Sequence, residues 1–331
     1  MQASGLLCSF PATSLIRYRH WHQHHKKGYR MLMKLPITKR GIFIAVMLAW
    51  PLLHYGVFGL YLQIQTLLYS FQFWNPLTGK RTWVGFDNYV SAFKGMANDV
   101  VWISAIKNSL LFIPVNLMTL AISLVVALIL HRKLPFARFY RIVYFFPSII
   151  SIVVITMVFS FSLNPTQGIL NGLLGLLGLE EWQRAWLGDT KTALLSVFVF
   201  YVWVTIGWNN VIITGSLQRI PTDFFEVGKL DGIGFWKELF SIVIPSAWPA
   251  ISTLIILGTS GAFTIFLQPL LLTNGGPFSS STTVALEMYR LVVEKNSYGL
   301  AAAYGMIFAL LGFVVVWSIK WLTERYETSE F

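Results

Sequence analysis

The sequence predicts an all-α integral membrane protein with about six transmembrane helices and both termini on the cytoplasmic side. Three observations carry this. Of 331 residues, 55% are apolar and only 12% are charged, with a mean hydropathy of +0.62. A soluble chain carries about 25% charged residues, so this one cannot clothe a water-facing surface, and its solvent is lipid. Six runs free of Lys, Arg, Asp and Glu each reach the roughly 20 helical residues needed to cross a hydrocarbon core about 30 Å thick. Of the 25 Lys and Arg, 17 fall in alternate connecting segments that also include both termini, and basic residues flank the cytoplasm. The same composition excludes a disordered chain, and Cys8 as the only cysteine excludes a disulfide scaffold.

In chain order, residues 1–40 carry eight Lys/Arg and no acid and read as a basic cytoplasmic tail. Gly5 to Phe10 is too short and too weakly apolar for a secretory signal core. His20, His22, His24 and His25 have no carboxylate or second cysteine nearby, which favours a basic tail over a metal site, and Met31 and Met33 are alternative starts. A transmembrane domain follows over 41–323, with spans near 41–70, 109–130, 142–163, 192–217, 247–273 and 300–319, and a second cytoplasmic tail over 324–331. Pro51, Pro114, Pro147 and Gly207 lie inside these runs, as lipid-embedded helices allow. Buried helices of a soluble protein are the alternative, and six such runs in one chain weigh against it. The loop 131–141 adds four bases and no acid, so it lies inside with the termini.

Six helices serve a secondary transporter, a channel, a membrane enzyme or the passive pore of a pump driven elsewhere. Ion-coupled transporters place ionisable residues within their spans, and these spans have essentially none. No HExxH or GxSxG pattern marks an intramembrane enzyme. Gly79-Lys80 does not end a phosphate loop, because Arg81 stands where Ser or Thr would hold magnesium. The charge-rich exception is the segment 218–246 between the fourth and fifth spans. Asp223 and Glu226 read as a capping box starting a short helix, Gly232 and Gly234 end it, and Phe235 to Ser241 begins a second short helix. The pair makes a knob below the membrane, either built for a partner or packed on the helix ends.

Glu226-Val-Gly-x-x-Asp-Gly-Ile-x-x-Trp236 with Ile242-Val-Ile-Pro245 resembles the EAA loop of permease subunits of bacterial ATP-binding-cassette importers. The surroundings resemble the carbohydrate-uptake branch and its maltose-F-like type. They include Trp83-Val-Gly-Phe-Asp-Asn-Tyr89, Leu163-Asn-Pro-x-x-Gly-Ile-Leu-Asn171, Leu217-Gln-x-Ile-Pro221, Thr273-Asn-Gly-Gly-Pro277 and Tyr298-Gly-Leu-Ala-Ala302, in family order over residues 41 to 323. Val227 and Gly228 replace the family's two alanines, and glycine in a helix costs about 1 kcal/mol relative to alanine.

The resemblance implies a type I importer permease in the bacterial inner membrane, moving a sugar or oligosaccharide by alternating access. It implies a G-like second permease as heterodimer partner, a dimeric cytoplasmic ATPase holding ATP and Mg, and a periplasmic solute-binding protein. The chain itself would hold no cofactor and no metal and would not be an enzyme. Glu226, Val227, Gly228, Leu230, Asp231, Gly232, Trp236 and Pro245 would couple to the ATPase. An ungapped match to the maltose importer's F-type permease from Gln218 to Pro277 would put the substrate path at Tyr201, Thr205 and Trp208, then at Gly258, Gly261, Ala262 and Ile265, with Asn209 as a further hydrogen-bonding group. Tyr201, Thr205 and Trp208 stand at i, i+4, i+7, and the second set at i, i+3, i+4, i+7, so each forms one helical stripe. Close helix packing is the competing reading of Gly258-x-x-Gly261. A permease for a non-carbohydrate solute and, more remotely, a channel are the competing functions. With the net charge of +11 concentrated on one side, the basic residues point to anionic lipid rather than nucleic acid.

Overall fold

The computed structural model describes residues 39–75, 78–132 and 135–327. The basic tail, its histidines, the alternative starts and the last four residues lie outside them. The chain divides into two compact units, residues 1–65 and residues 66–331. In the first, α1 (Lys39–His54) passes through a π-turn (Tyr55–Tyr61) into α2 (Leu62–Ser70), the last residues of which belong to the second unit.

The second unit opens with a small scaffold built on a two-stranded hairpin. Strands β1 (Gln72–Trp74) and β2 (Arg81–Trp83) pair antiparallel with Phe73 opposite Thr82. The Trp83–Tyr89 motif is built to hold this hairpin on α3 (Asp87–Asn98). Trp83 stacks on Phe71 at 5.6 Å, the Asn88 amide donates to the carbonyls of Ser70 and Gln72, and the Tyr89 hydroxyl meets that of Ser70 at 2.7 Å.

The apolar runs then form long helices: α4 (Val100–His131), α8 (Ala193–Leu217) and α14 (Tyr298–Glu327). Asp99 caps α4 by accepting from the Val101 amide at 2.9 Å. Among the described residues, five helices are long and apolar enough to cross a membrane, or six if one bent pair is a single span. That pair is α5 (Ala137–Ile149) and α6 (Ile152–Ser162), which meet at 104°. The uncharged run 142–163 is therefore not one straight helix. Pro147 has no amide to give to the helical ladder, and Ile150 adopts an extended backbone (ψ 144°). The loop 163–168 then leads into α7 (Ile169–Leu176), where Asn171 donates to the Pro165 and Arg184 carbonyls and accepts from the Trp186 indole.

The fifth run also differs from a plain span. Helix α9 (Thr222–Leu230) is the separate short helix expected from the loop, but the second is not separate. Instead α10 (Phe235–Glu238) runs through a π-turn (Leu239–Val243) into α11 (Ile244–Ala262) as one continuous 28-residue helix. Pro245 is the reason for the π-turn: a proline ring collides with the carbonyl four residues back, here Ser241, and the wider turn opens that space. The helix stops at Ala262, and α12 (Leu267–Thr273) resumes after a break. Residues 247–273 are thus two helices. After α13 (Val284–Val293), α14 closes the chain.

Three apolar cores hold the unit together. One joins α4, α8 and α10–α11 through Leu124, Leu128, Ile213, Leu217, Val243 and Ile251. A second joins α3, α4, α13 and α14 around Trp102 stacked on Tyr304 at 3.6 Å. The third joins α4 and α8 to the end of α11 through Phe112, Phe200, Tyr201 and Ala262. Polar bonds tie α4 to the segment before α13: the Asn108 amide donates to the Ser280 and Thr282 carbonyls, both at 2.9 Å.

Candidate functional site

Two sets of residues single themselves out. The first is α9 and its surroundings. Pro221 precedes the helix with an extended backbone, and no side chain caps it, so the expected Asp223–Glu226 capping box does not form. Asp223 sits in the first turn and Lys229 in the last, the charge order that suits the helix dipole. The helix ends on a Schellman motif: Gly232 lies at φ +67°, its amide donates to the Lys229 carbonyl, and the Ile233 amide donates to the Gly228 carbonyl. Only glycine adopts that backbone without strain.

Gly228 explains the departure from the double alanine. A methyl placed on it would sit 2.6 Å from Ile233 Cδ1 and 3.3 Å from Ile242 Cδ1. Ile233 occupies the volume that a second alanine would take, folding back onto α9 as the apolar contact that accompanies a Schellman turn. Phe225 points the same way, against the first core and 5.0 Å from the His131 ring. The opposite face is open: Phe224, Val227 and Leu230 are 58%, 56% and 87% exposed, beside exposed Asp223, Glu226 and Asp231. Trp236 and Phe240 add exposed aromatic surface on the neighbouring helix.

Of the eight residues expected in the coupling loop, Glu226, Val227, Leu230, Asp231 and Trp236 are exposed, while Gly228, Gly232 and Pro245 shape the backbone beneath them. Sequence reasoning missed Glu238. It is buried and ion-paired with Arg132, the guanidinium of which lies 5.0 Å from the Phe235 ring, tying α10 to the end of α4. A lone acid at the head of an apolar run was the available signal.

The second set is the pair of stripes on α8 and α11, and the fold splits it. Tyr201 is buried edge-on against Phe112 at 5.3 Å, with its hydroxyl 3.4 Å from Asn116 Oδ1. Asn209 is buried as well, Thr205 is half-buried, and Trp208 is 58% exposed. On the other side Ala262 and Ile265 belong to the same core as Tyr201. Ile265 lies in the break after α11, where its carbonyl accepts from the Thr283 hydroxyl at 2.6 Å. Gly258 receives Asn116: a methyl there would fall 1.9 Å from the Asn116 amide nitrogen. Around Gly261 there is open space.

The stripes therefore contribute Thr205, Trp208 and Gly261 to accessible surface and the rest to packing. The exposed polar line on α11 runs instead through Ser246, Thr253 and Ser260 and continues to Thr264 in the break that follows. Its lower end reaches a groove of about 610 Å³ between α8, α9 and α11, where Ser246 and Pro249 face Gly215, Arg219 and Phe224. Asn116 was not found from sequence. It is 3% exposed, and its amide nitrogen has no hydrogen-bond partner among the described residues.

The chain and its fold are similar to known proteins. The profile of the family described as binding-protein-dependent transport system inner membrane component matches residues 119–328. A probable ABC transporter permease protein of Bacillus subtilis, YurN, is 33% identical over 72% of this chain and 81% of its own length. The diacetylchitobiose uptake system permease protein NgcF of Streptomyces coelicolor is 28% identical over 83% of this chain and 80% of its own. The multiple sugar-binding transport system permease protein MsmF of Streptococcus mutans is 28% identical over 84% of this chain and 93% of its own. The crystal structure of a bacterial ABC transporter importing the acidic polysaccharide alginate has a chain of the same fold. Its TM-score is 0.75 at 22% identity, over 87% of this chain and 96% of that one.

Proposed function

The chain belongs to the family of binding-protein-dependent transport system inner membrane components, and from that premise we propose that it is one half of a heterodimeric pore importing a sugar or oligosaccharide. A second, G-like permease completes the pore, a dimeric cytoplasmic ATPase drives it with ATP and Mg, and a periplasmic solute-binding protein delivers the substrate. The carbohydrate class is supported by the names of NgcF and MsmF and by the alginate importer, all of which are carbohydrate systems.

The observation that carries the coupling role is the two-faced character of α9. Its outer face offers Phe224, Val227 and Leu230 between acids, a surface suited to a cleft in a soluble partner. Its inner face is keyed by Phe225 and by the Gly228–Ile233–Ile242 contact into the core shared by α4, α8 and α11. A push on α9 is therefore delivered to the two helices that bear the proposed path, and alternating access follows if the partner ATPase moves that cleft between its nucleotide states. Thr205, Trp208 and Gly261, with the hydroxyl line of α11, form the wall offered to the substrate. Trp208 supplies an aromatic face for sugar C–H groups, the Ser246 and Ser260 hydroxyls supply donors, and the Thr253 and Thr264 hydroxyls, which donate to the Pro249 and Gly261 carbonyls, supply acceptors.

Binding-protein-dependent ATP hydrolysis in vesicles containing all subunits, measured over a panel of oligosaccharides, tests this reading. Stimulation by at least one neutral or acidic oligosaccharide is expected, and stimulation only by a non-carbohydrate solute would overturn the substrate class. Trp208→Ala is expected to change the sugar dependence at unchanged abundance.

A further inference from the structure

The last turns of α8 carry a second cavity on the side turned toward α5, adjoining the groove described above, with which it shares Val211 and Gly215. It measures about 510 Å³ and is headed by Arg138 and Arg141 of α5, with Asn210, Thr214 and Gln218 of α8 on its polar side. We infer that this cavity seats the phosphodiester headgroup of an anionic phospholipid between Arg138 and Arg141, with the start of an acyl chain along Ile142 and Phe145.

Four observations lead there. Arg141 donates through Nη2 to the Leu130 carbonyl at 3.4 Å, which sets its guanidinium level with the last apolar turn of α4, the depth at which lipid phosphates lie. Neither arginine makes an ion pair among the described residues, and no carboxylate lines the cavity. Arg132, Arg290 and Lys320 each face an acid, whereas Arg138 and Arg141 share the lack of one with Arg81, Arg184 and Arg219, and among the described residues only Arg138 and Arg141 line this cavity together. Two guanidinium forks without an internal counter-ion suit a phosphodiester, which accepts paired N–H bonds. The space is also kept open: a methyl added at Gly215 would meet no atom within 4 Å. Finally, the wall beyond the arginines is apolar, with Ile142, Phe145 and Val211, which a hydrophilic anion does not require and an acyl chain does. The inference concerns lipid and does not rest on which solute is transported.

Native mass spectrometry of the full chain in non-ionic detergent tests it directly, with phosphatidylglycerol, phosphatidylcholine and inorganic phosphate as the probes. Phosphatidylglycerol is expected to be retained at least tenfold more than phosphatidylcholine at equal concentration, and millimolar phosphate is expected not to displace it. The double variant Arg138→Gln with Arg141→Gln should lose the preference. Gly215→Leu, which fills the cavity without touching a charge, should lower retention independently, and Lys320→Gln should leave it unchanged. Equal retention of the two lipids by the unaltered chain overturns the inference, as does undiminished retention in both cavity variants. Displacement by inorganic phosphate also overturns it, since it would mark a simple anion site.

Discussion

Helix α9 and the middle of α8 and α11 are both marked in the sequence by glycine among apolar residues, and glycine serves opposite ends in the two places. In α9 the glycines free the surface. Gly232 turns the chain at positive φ and Gly228 admits Ile233 underneath, so Phe224, Val227 and Leu230 are left facing outward. In α11, Gly258 admits the Asn116 side chain, which lets α11 close on α4 and α8 and takes Ala262 into the core with Tyr201. Helical spacing states which residues share a face; it does not state what that face meets.

The largest effect that would break this contrast is on transport. Glu226→Lys and Gly232→Asp are each expected to reduce binding-protein-dependent uptake by more than about a hundredfold at unchanged membrane abundance, since a hundredfold is only about 2.7 kcal/mol of lost coupling. Uptake near the original rate in either variant would show that the exposed face of α9 transmits nothing. Next comes the buried side. Tyr201→Ala removes an aromatic ring from the third core and is expected to cost about 3 kcal/mol in detergent unfolding. Trp208→Ala, on the exposed side of the same helix, is expected to stay within about 0.5 kcal/mol. Equal losses would mean that the two residues share one environment.

Gly258→Ala tests the glycine contact itself. Overpacking against Asn116 is expected to cost about 1–3 kcal/mol, and Asn116→Ala in the same chain should recover most of it. Failure of that rescue would place the strain elsewhere. The smallest effect is expected at Gly228→Ala. There the gain in helix propensity, about 1 kcal/mol, opposes the displacement of Ile233. The combination with Ile233→Ala should be more active than Ile233→Ala alone if Ile233 fills the alanine volume.

Much of the fold was legible because lipid imposes one simple demand. A backbone in hydrocarbon must satisfy its own hydrogen bonds, so an uncharged run of sufficient length announces a helix. That argument works for α4, α8 and α14, which are uninterrupted. It fails at 142–163, where Pro147 and an extended Ile150 bend the run by 104°, because hydropathy carries no information about direction. It fails again at 235–241, where the absence of a stop signal before Pro245 permitted a continuous helix once a π-turn had made room for the ring.

The candidate site divides in the same way. Gly232 as a helix stop was readable, since a glycine after a short amphipathic stretch has one common use. The pairings of Gly228 with Ile233, Arg132 with Glu238 and Asn116 with Gly258 were not. The last two bring together residues 106 and 142 positions apart, and no local period encodes such a meeting.

The sequence by itself determined the solvent of this protein, its helical class, the concentration of basic residues in alternate connecting segments and the position of the short charged helix between two apolar runs. These follow from composition and local spacing, which act through desolvation and backbone hydrogen bonding residue by residue. Only the tertiary structure decided which face of each helix is buried, which glycine is a turn and which a socket, and which arginines are left without an acid. Those outcomes depend on what arrives from distant parts of the chain to fill, or leave open, the space beside each residue.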